Sequence, residues 1–381
     1  MKNKLDLMRT IGTLFLFLMA IGRGSAEKTE VNQPYDKLPG TVTTPHITWA
    51  VPYSLGKIKV LVIAPTWSQR ETVELAQRLS LDYTPAMAFD YASLLGEKAK
   101  HSPVEVPPDT VKRMILERLT NNYDAIIIGK MKWDGFPLDM KVAILEKVKT
   151  QGCGLLYVSP LGESKELTTV LNNKMEDTDA FITSGIPLSY LPLLKDIPME
   201  KLVSLAQFGK GRVCVLNYKQ DTKPISLHQS LTPSGIYDGT AQYDYYHGLL
   251  AKALLWTASK TPDILIKEIK TSEPVIKQAA LNDAAIKLST LSKRPAEASL
   301  EVELAIRDDK SGKMEYEKKE KASIQPGANE ISLKMPKLTD GKHLADVWLR
   351  EKDKVLNWGS VGFEVRMEGP RMEILILDKP S

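Results

Sequence analysis

The side chains of this sequence that could do chemistry are two cysteines, five histidines and several aromatic residues placed near carboxylates and an arginine. Cys153 stands just before the apolar run GLLYVS at 154–159, and Cys214 lies within RVCVLNY at 212–218. A thiol nucleophile needs a sharp strand-to-helix turn that exposes the sulfur and aims backbone N–H groups at the developing oxyanion. Neither cysteine occupies such a turn. Strand positions seldom meet the narrow geometry of a disulfide, so two buried thiols are expected, with a Cys153–Cys214 bridge as the alternative in an oxidising compartment. His46, His101, His228, His247 and His343 are scattered without the spacing of a metal site. The loop at 66–70 reads TWSQR, with no Gly-x-Gly-x-x-Gly to admit a pyrophosphate, so no cofactor is expected.

A second set of residues suits binding. Open α/β sheets take ligands outside the carboxyl ends of their strands. Those ends supply Trp67, Gln69 and Arg70, then Trp133 and Asp134, then Glu163, and the last helix of this region adds Tyr243 and His247 at its start. Flat rings against a pyranose face, with fixed polar groups for its hydroxyls, are what a sugar requires. Each has a plainer reading. Trp67 and Trp133 can cover the sheet end or meet another subunit, and Tyr246 shares a helical stripe with Leu249, Leu250 and Ala253. Arg70-Glu71 opens a helix, where Glu71 favours the dipole whatever the function.

The elements that must hold these residues follow from periodicity. KIKVLVIAP at 57–65, YDAIIIG at 123–129 and GLLYVS at 154–159 are near-continuous apolar runs, the pattern of strands buried on both faces. Helical stripes lie between them: Val73, Leu75, Ala76 and Leu79; then Val111, Met114, Ile115 and Leu119; then Val142, Ile144, Leu145 and Val148. A strand is expected near 86–89, a hairpin at 202–218 around Gly209-Lys210-Gly211, and a helix at 243–259. Strands alternating with helices demand crossovers, hence a doubly wound parallel sheet, α/β in class. Beyond Thr261-Pro262 about seven short strands separated by turn residues fit an all-β immunoglobulin-like sandwich. There the run EYEKKEK at 315–321 reads as a solvated strand face.

Composition sets the outer limits. The chain has 381 residues, 43% hydrophobic and 26% charged, with a formal charge of +4. That is globular, and without a basic stripe it gives no nucleic-acid partner. Lys2, Lys4 and Arg9 precede the apolar run IGTLFLFLMAI at 11–21 and then Gly24-Ser25-Ala26. This is the layout of a secretory signal peptide cleaved near Ala26, which makes the protein secreted or periplasmic and leaves it off the membrane. The run is shorter than the about 20 residues a spanning helix needs, and an uncleaved anchor is the alternative.

On the strands at 59–65 and 123–129, the segments AILEKVKTQGCGLLYVS (143–159) and FITSGIPL (181–188), and the helix at 243–256, residues 57–262 resemble the class I glutamine amidotransferase-like superfamily. The resemblance is to its secreted, non-catalytic branch, which includes trehalose-utilisation-type proteins and the trimerisation domain of some β-galactosidases. It implies a flavodoxin-like sheet. The superfamily's elbow cysteine and His-x-Glu pair have no counterpart: Ser159-Pro160 follows the fourth strand, and His228 lacks the acid. Trp358-Gly359-Ser360, read as a turn before a final strand, is similar to sandwich modules of carbohydrate-active proteins.

The expected order is a signal peptide (1–26), an extended arm (27–56), the α/β domain (57–262), the sandwich (263–368) and a tail (369–381). The tail's MEILILD resembles the first strand of a further β domain, as in the front part of a longer protein. The expected role is an exported, non-enzymatic module that binds carbohydrate or another protein domain. Two alternatives stand beside it. One is a hydrolase of amide or glycosidic bonds, with Asp134, Glu163 and His247 converging. The other is an assembly domain, homo-oligomeric or docked on a larger protein through Trp67 and Trp133.

Overall fold

β1 (Ile58–Pro65) shows why the first half folds as it does: its residues divide between two cores. Val60, Val62 and Ala64 face one, and Leu61 and Ile63 face the other. β3 (Ala125–Ile128), β4 (Gly154–Val158) and β6 (Gly211–Leu216) divide the same way, so the central positions of these strands are apolar on both faces, and charge appears only near their starts, at Lys59 and Arg212. The computed structural model describes residues 43–65, 68–88, 108–177, 180–218, 231–233 and 241–367, all within the compact unit Leu38–Ser381. The expected signal peptide, Trp67, His101, His228 and the 369–381 tail lie outside the described residues.

The first sheet has the order β2-β1-β3-β4-β6-β5, with β2 spanning Leu81–Ala88 and β5 Val203–Phe208. All its pairs are parallel except β5–β6, the expected hairpin, so the sheet is mixed rather than wholly parallel. Helix α1 (Gln69–Arg78) and the long α6 (Ala241–Thr257) cover one face. α2 (Pro108–Arg118) and α3 (Leu138–Glu146) cover the other, while the short α4 (Lys165–Leu171) and α5 (Met199–Leu202) lie in the connections. On α3 the buried stripe is Met140 and Ile144, continued by Val148 in a π turn. Val142, expected on it, is 57% exposed, because a residue two places from Met140 points away from the core.

The second half packs a five-stranded sheet, β11-β10-β13-β14-β8, against a three-stranded one, β12-β9-β7. These are β7 (Ile264–Thr271), β8 (Val275–Lys277), β9 (Ala285–Ser292), β10 (Ala298–Asp308), β11 (Met314–Ile324), β12 (Gly327–Lys334), β13 (Gly341–Glu351) and β14 (Lys354–Arg366). Pairing is antiparallel except for β8 beside β14. β11, which carries EYEKKEK, is mostly exposed. Trp358-Gly359-Ser360 is not a turn: it lies mid-strand in β14, paired to residues 346–348 of β13.

β13 and β14 are buried on both faces. Ala345, Val347 and Leu349 face the three-stranded sheet, whereas Leu344, Trp348 and Trp358 join the core beneath α6. The two halves therefore share one core. Trp49, in the arm ahead of β1, is its wedge, with ring centroids 5.5 Å from Tyr245, 5.9 Å from Trp348 and 6.3 Å from Trp358. Its indole N–H donates to the Asp244 carbonyl at 2.7 Å, and its own carbonyl accepts from the Trp348 indole at 3.1 Å. The loop at 181–188 makes the second seam. The Ser360 amide donates to the Gly185 carbonyl at 2.6 Å, and Gly359 lies against the Gly185 backbone. A β-carbon at Gly359 would come 2.8 Å from Ile269 and 2.9 Å from the Gly185 α-carbon.

Inside this seam lies Lys252, fully buried, its ammonium nitrogen 2.5 Å from the Ser184 carbonyl and 5.5 Å from the Trp358 ring centroid. Burial pulls its pKa down to about 7, with Asp177 opposing. Two outcomes follow. Gly359→Ala should cost about 1–3 kcal/mol, seen in denaturant unfolding, because the new methyl group meets the Gly185 backbone as well as the Ile269 side chain, and the backbone cannot turn aside. For Lys252, a base with a depressed folded pKa, stability is lost as pH falls through the folded value. The native chain should therefore gain stability from pH 7 to about 9.5 on this account. Lys252→Met should lack that gain in thermal unfolding.

Candidate functional site

Among the described residues, the strand-end candidates do not form one site. Trp133 sits in a short 3-10 turn after β3, 2% exposed, its ring 5.8 Å from Phe136 and 6.2 Å from Tyr157. Its indole N–H donates to Glu166 at 2.9 Å. This is a core side chain that closes the sheet end, not an open platform. Asp134 and Glu163 are exposed beside it and line a shared hollow with Ser164 and Thr168. Glu166, the acid of that hollow's wall, is held below the usual carboxylate range by Lys141 first and then by Trp133.

The other candidates lie across the sheet, on the α1/α6 face. Gln69 is buried in the first turn of α1, and Arg70 is ion-paired with Glu74. In α6, Tyr243 meets the His247 ring edge-on at 4.6 Å. His247 is fully buried, and neither ring nitrogen has a hydrogen-bond partner among the described residues. Burial, then the nearby Arg78 and His46, push its pKa well below the usual histidine value, so it is neutral. Trp133 belongs to one core and Tyr243 to the other, so the grouping of Asp134 and Glu163 with His247 does not assemble.

Tyr243 instead reaches a cleft of about 540 Å³ between the two halves. His46 comes from the arm, Arg78 from the end of α1 and Asp244 from the start of α6; Arg307, Asp308 and Ser311 come from β10 and the turn after it. On the first wall Arg78 is fully engaged. Its Nε donates to Asp244 at 2.7 Å, it is ion-paired with Glu74, and its guanidinium lies 5.5 Å from the Tyr243 ring centre. The Asp244 carboxyl also accepts the Ile47 amide at 3.1 Å. Burial raises its pKa, with Arg78 opposing.

On the second wall, Arg307 Nε donates to Asp346 at 2.9 Å, and Asp346 accepts the Ser360 hydroxyl at 2.7 Å. Burial pushes Asp346 up to about 6, against the pull of Arg307. The Asp308 carboxylate accepts the Ser311 amide at 2.8 Å and its hydroxyl at 2.6 Å, which hold it below the usual range. The cleft thus offers fixed donors and acceptors on rigid elements. Local signals exist for two of its parts, the i, i+4 pair Glu74/Arg78 behind the first wall and the turn residues after β10, but neither marks a site by itself, and the meeting of residues from opposite ends of the chain has no local signal.

Both cysteines are free and buried. Burial pushes the Cys153 thiol up to about 12 and raises that of Cys214 as well. Ser159, directly after β4, has a left-handed backbone with φ of +48° and is followed by Pro160, which has no N–H to donate. Among the described residues no group of three or more histidine, cysteine, aspartate or glutamate side chains could hold a metal ion, and no helix is long and apolar enough to cross a membrane.

No protein-family model matches the chain, and no curated protein matches it either. Solved structures resemble short stretches of it. A Paenibacillus sp. cycloisomaltooligosaccharide glucanotransferase matches 26% of the chain at 14% identity and a TM-score of 0.21. A glycosyl hydrolase family 2 member from Bacteroides cellulosilyticus matches 25% at 13% identity and a TM-score of 0.19. The chain covers only 14% of each of these two enzymes. The C-terminal domain of wzt matches 28% of the chain and is itself 75% covered, at 14% identity and a TM-score of 0.22. Scores this low leave function to the chain's own geometry.

Trp133→Ala should cost about 3–5 kcal/mol in chemical unfolding, the usual loss for an emptied core site. A tryptophan serving as an exposed sugar platform would leave stability nearly unmoved.

Proposed function

We propose that this protein is an exported, non-catalytic module that binds carbohydrate in the cleft between a degenerate amidotransferase-like α/β domain and an immunoglobulin-like sandwich. The observation that carries the reading is the cleft itself, about 540 Å³ and lined from both halves by guanidinium, carboxylate, hydroxyl and imidazole groups. A sugar ring presents alternating donors and acceptors that need fixed partners, and groups held by Asp244, Asp346 and the turn at Ser311 lose little freedom on binding.

Several features support a non-catalytic role. The strand order β2-β1-β3-β4-β6 and the left-handed residue after β4 suit the amidotransferase-like resemblance, but the elbow holds Ser159-Pro160 and both thiols stay protonated in the core. A serine followed by proline lacks the next amide as an oxyanion donor. His247 is enclosed and neutral, and neither ring nitrogen has a hydrogen-bond partner among the described residues.

Calorimetric titration of the full chain with a panel of neutral and acidic oligosaccharides tests this. At least one should bind, and Ser311→Trp, which fills the cleft mouth from an exposed turn, should weaken it at least tenfold without moving the unfolding midpoint. Absence of binding across the panel, or binding indifferent to Ser311→Trp, overturns the reading.

A further inference from the structure

The polar groups of the cleft are unevenly satisfied. Its acids are engaged: Asp244 by Arg78 and the Ile47 amide, Asp308 by the Ser311 amide and hydroxyl. Arg78 is engaged through Nε and both terminal nitrogens. Arg307 is not. Only its Nε has a partner, Asp346, and its two terminal nitrogens have no acceptor among the described residues. The side chain is 16% exposed and lines the cleft. Five N–H donors on a planar fork are seldom left with one bond in so enclosed a place.

Asp346 explains why the fork stays put. It is buried beneath Arg307, fixed by the Ser360 hydroxyl, and lies beside the Tyr245 hydroxyl. With one edge of the guanidinium pinned, the terminal edge is a ready donor pair, whose natural complement is a carboxylate bound through both oxygens. His46 adds a second feature. Its Nδ1 faces the Thr44 carbonyl at 2.6 Å and so carries the proton, and its Nε2 has no partner among the described residues, which suits a ligand hydroxyl as donor.

The geometry points to a carboxylate-bearing sugar, a uronate unit, as the cleft's preferred ligand, its carboxylate seated on the terminal nitrogens of Arg307 and a ring hydroxyl directed at His46. This rests on the carbohydrate reading above and narrows it. Asp346 is a positioning residue: it aims Arg307 and touches no ligand.

The test compares acidic oligosaccharides with their methyl esters, which keep the ring and remove the charge. Probes are short oligomers of galacturonate, glucuronate and mannuronate, each as acid and ester, titrated calorimetrically into the full chain, with a sulfated oligosaccharide as a tetrahedral anion. Expected is at least a tenfold preference for one acid over its ester, and weaker binding of the sulfated probe. The double variant Arg307→Gln/Asp346→Asn keeps the pair hydrogen-bonded without charge. It should reduce the preference to below twofold, with an unchanged near-ultraviolet circular dichroism spectrum showing that the chain remains folded. If esters bind as well as acids, or the sulfated probe binds as well as the uronates, the uronate inference falls and the carbohydrate reading stands. If neither acids, esters nor neutral sugars bind, the carbohydrate reading itself falls.

Discussion

The structure depends on burying both faces of a sheet that would otherwise be half solvated. In a two-sheet sandwich each strand normally alternates inward and outward, with polar residues outside. β13 cannot do so, because its outer face carries Leu344 and Trp348 into the core under α6. With Leu344 and Trp348 on that face, leaving it in water would expose large apolar side chains and the paired Asp346. The α/β half, the arm and the 181–188 loop must all be shaped to cover it. Trp49 fills the space between them, and its carbonyl and indole N–H are both satisfied there, so a large aromatic enters without stranding a polar group.

Polar residues at the rim of this junction follow from the same constraint. Arg78, Asp244, Arg307 and Asp346 sit where two elements converge but the apolar seal is incomplete. Each charge there is partly desolvated, so each needs a fixed counter-ion, and fixed counter-ions make rigid side chains. A cleft with preorganised groups is thus a by-product of how the halves meet. Binding at such a place would add contacts to both halves at once.

Much of the fold was legible in the sequence. β1, β3 and β4 are short apolar runs because they are buried on both sides, and the 209–211 turn marked a hairpin. Where reading failed, burial was decided by distant residues. Val142 is apolar and close to the stripe, yet nothing local says which side of α3 faces the sheet. Trp358-Gly359-Ser360 looked like a turn because glycine and serine are turn residues. Here the glycine is needed for the approach of Gly185, a contact between chain positions far apart. Trp133 and Tyr243 were recognised as aromatic residues at the correct ends of their elements. Whether such a ring lines a site or a core depends on neighbours such as Phe136 and Tyr157, which no spacing rule supplies.

The Trp49–Trp348 contact joins residues 299 positions apart. Contacts of such separation close large loops and are made late. During synthesis the arm is made before the strands that shelter its tryptophan, and it waits until almost the whole described length has followed. The α/β sheet can pair meanwhile, since its strands are near neighbours in sequence. The face of β13 and the wedge that covers it can meet only at the end, and until then both present aromatic surface to whatever is nearby. For this protein the window of vulnerability to aggregation is set by the time taken to deliver about three hundred residues, rather than by the speed of any one domain.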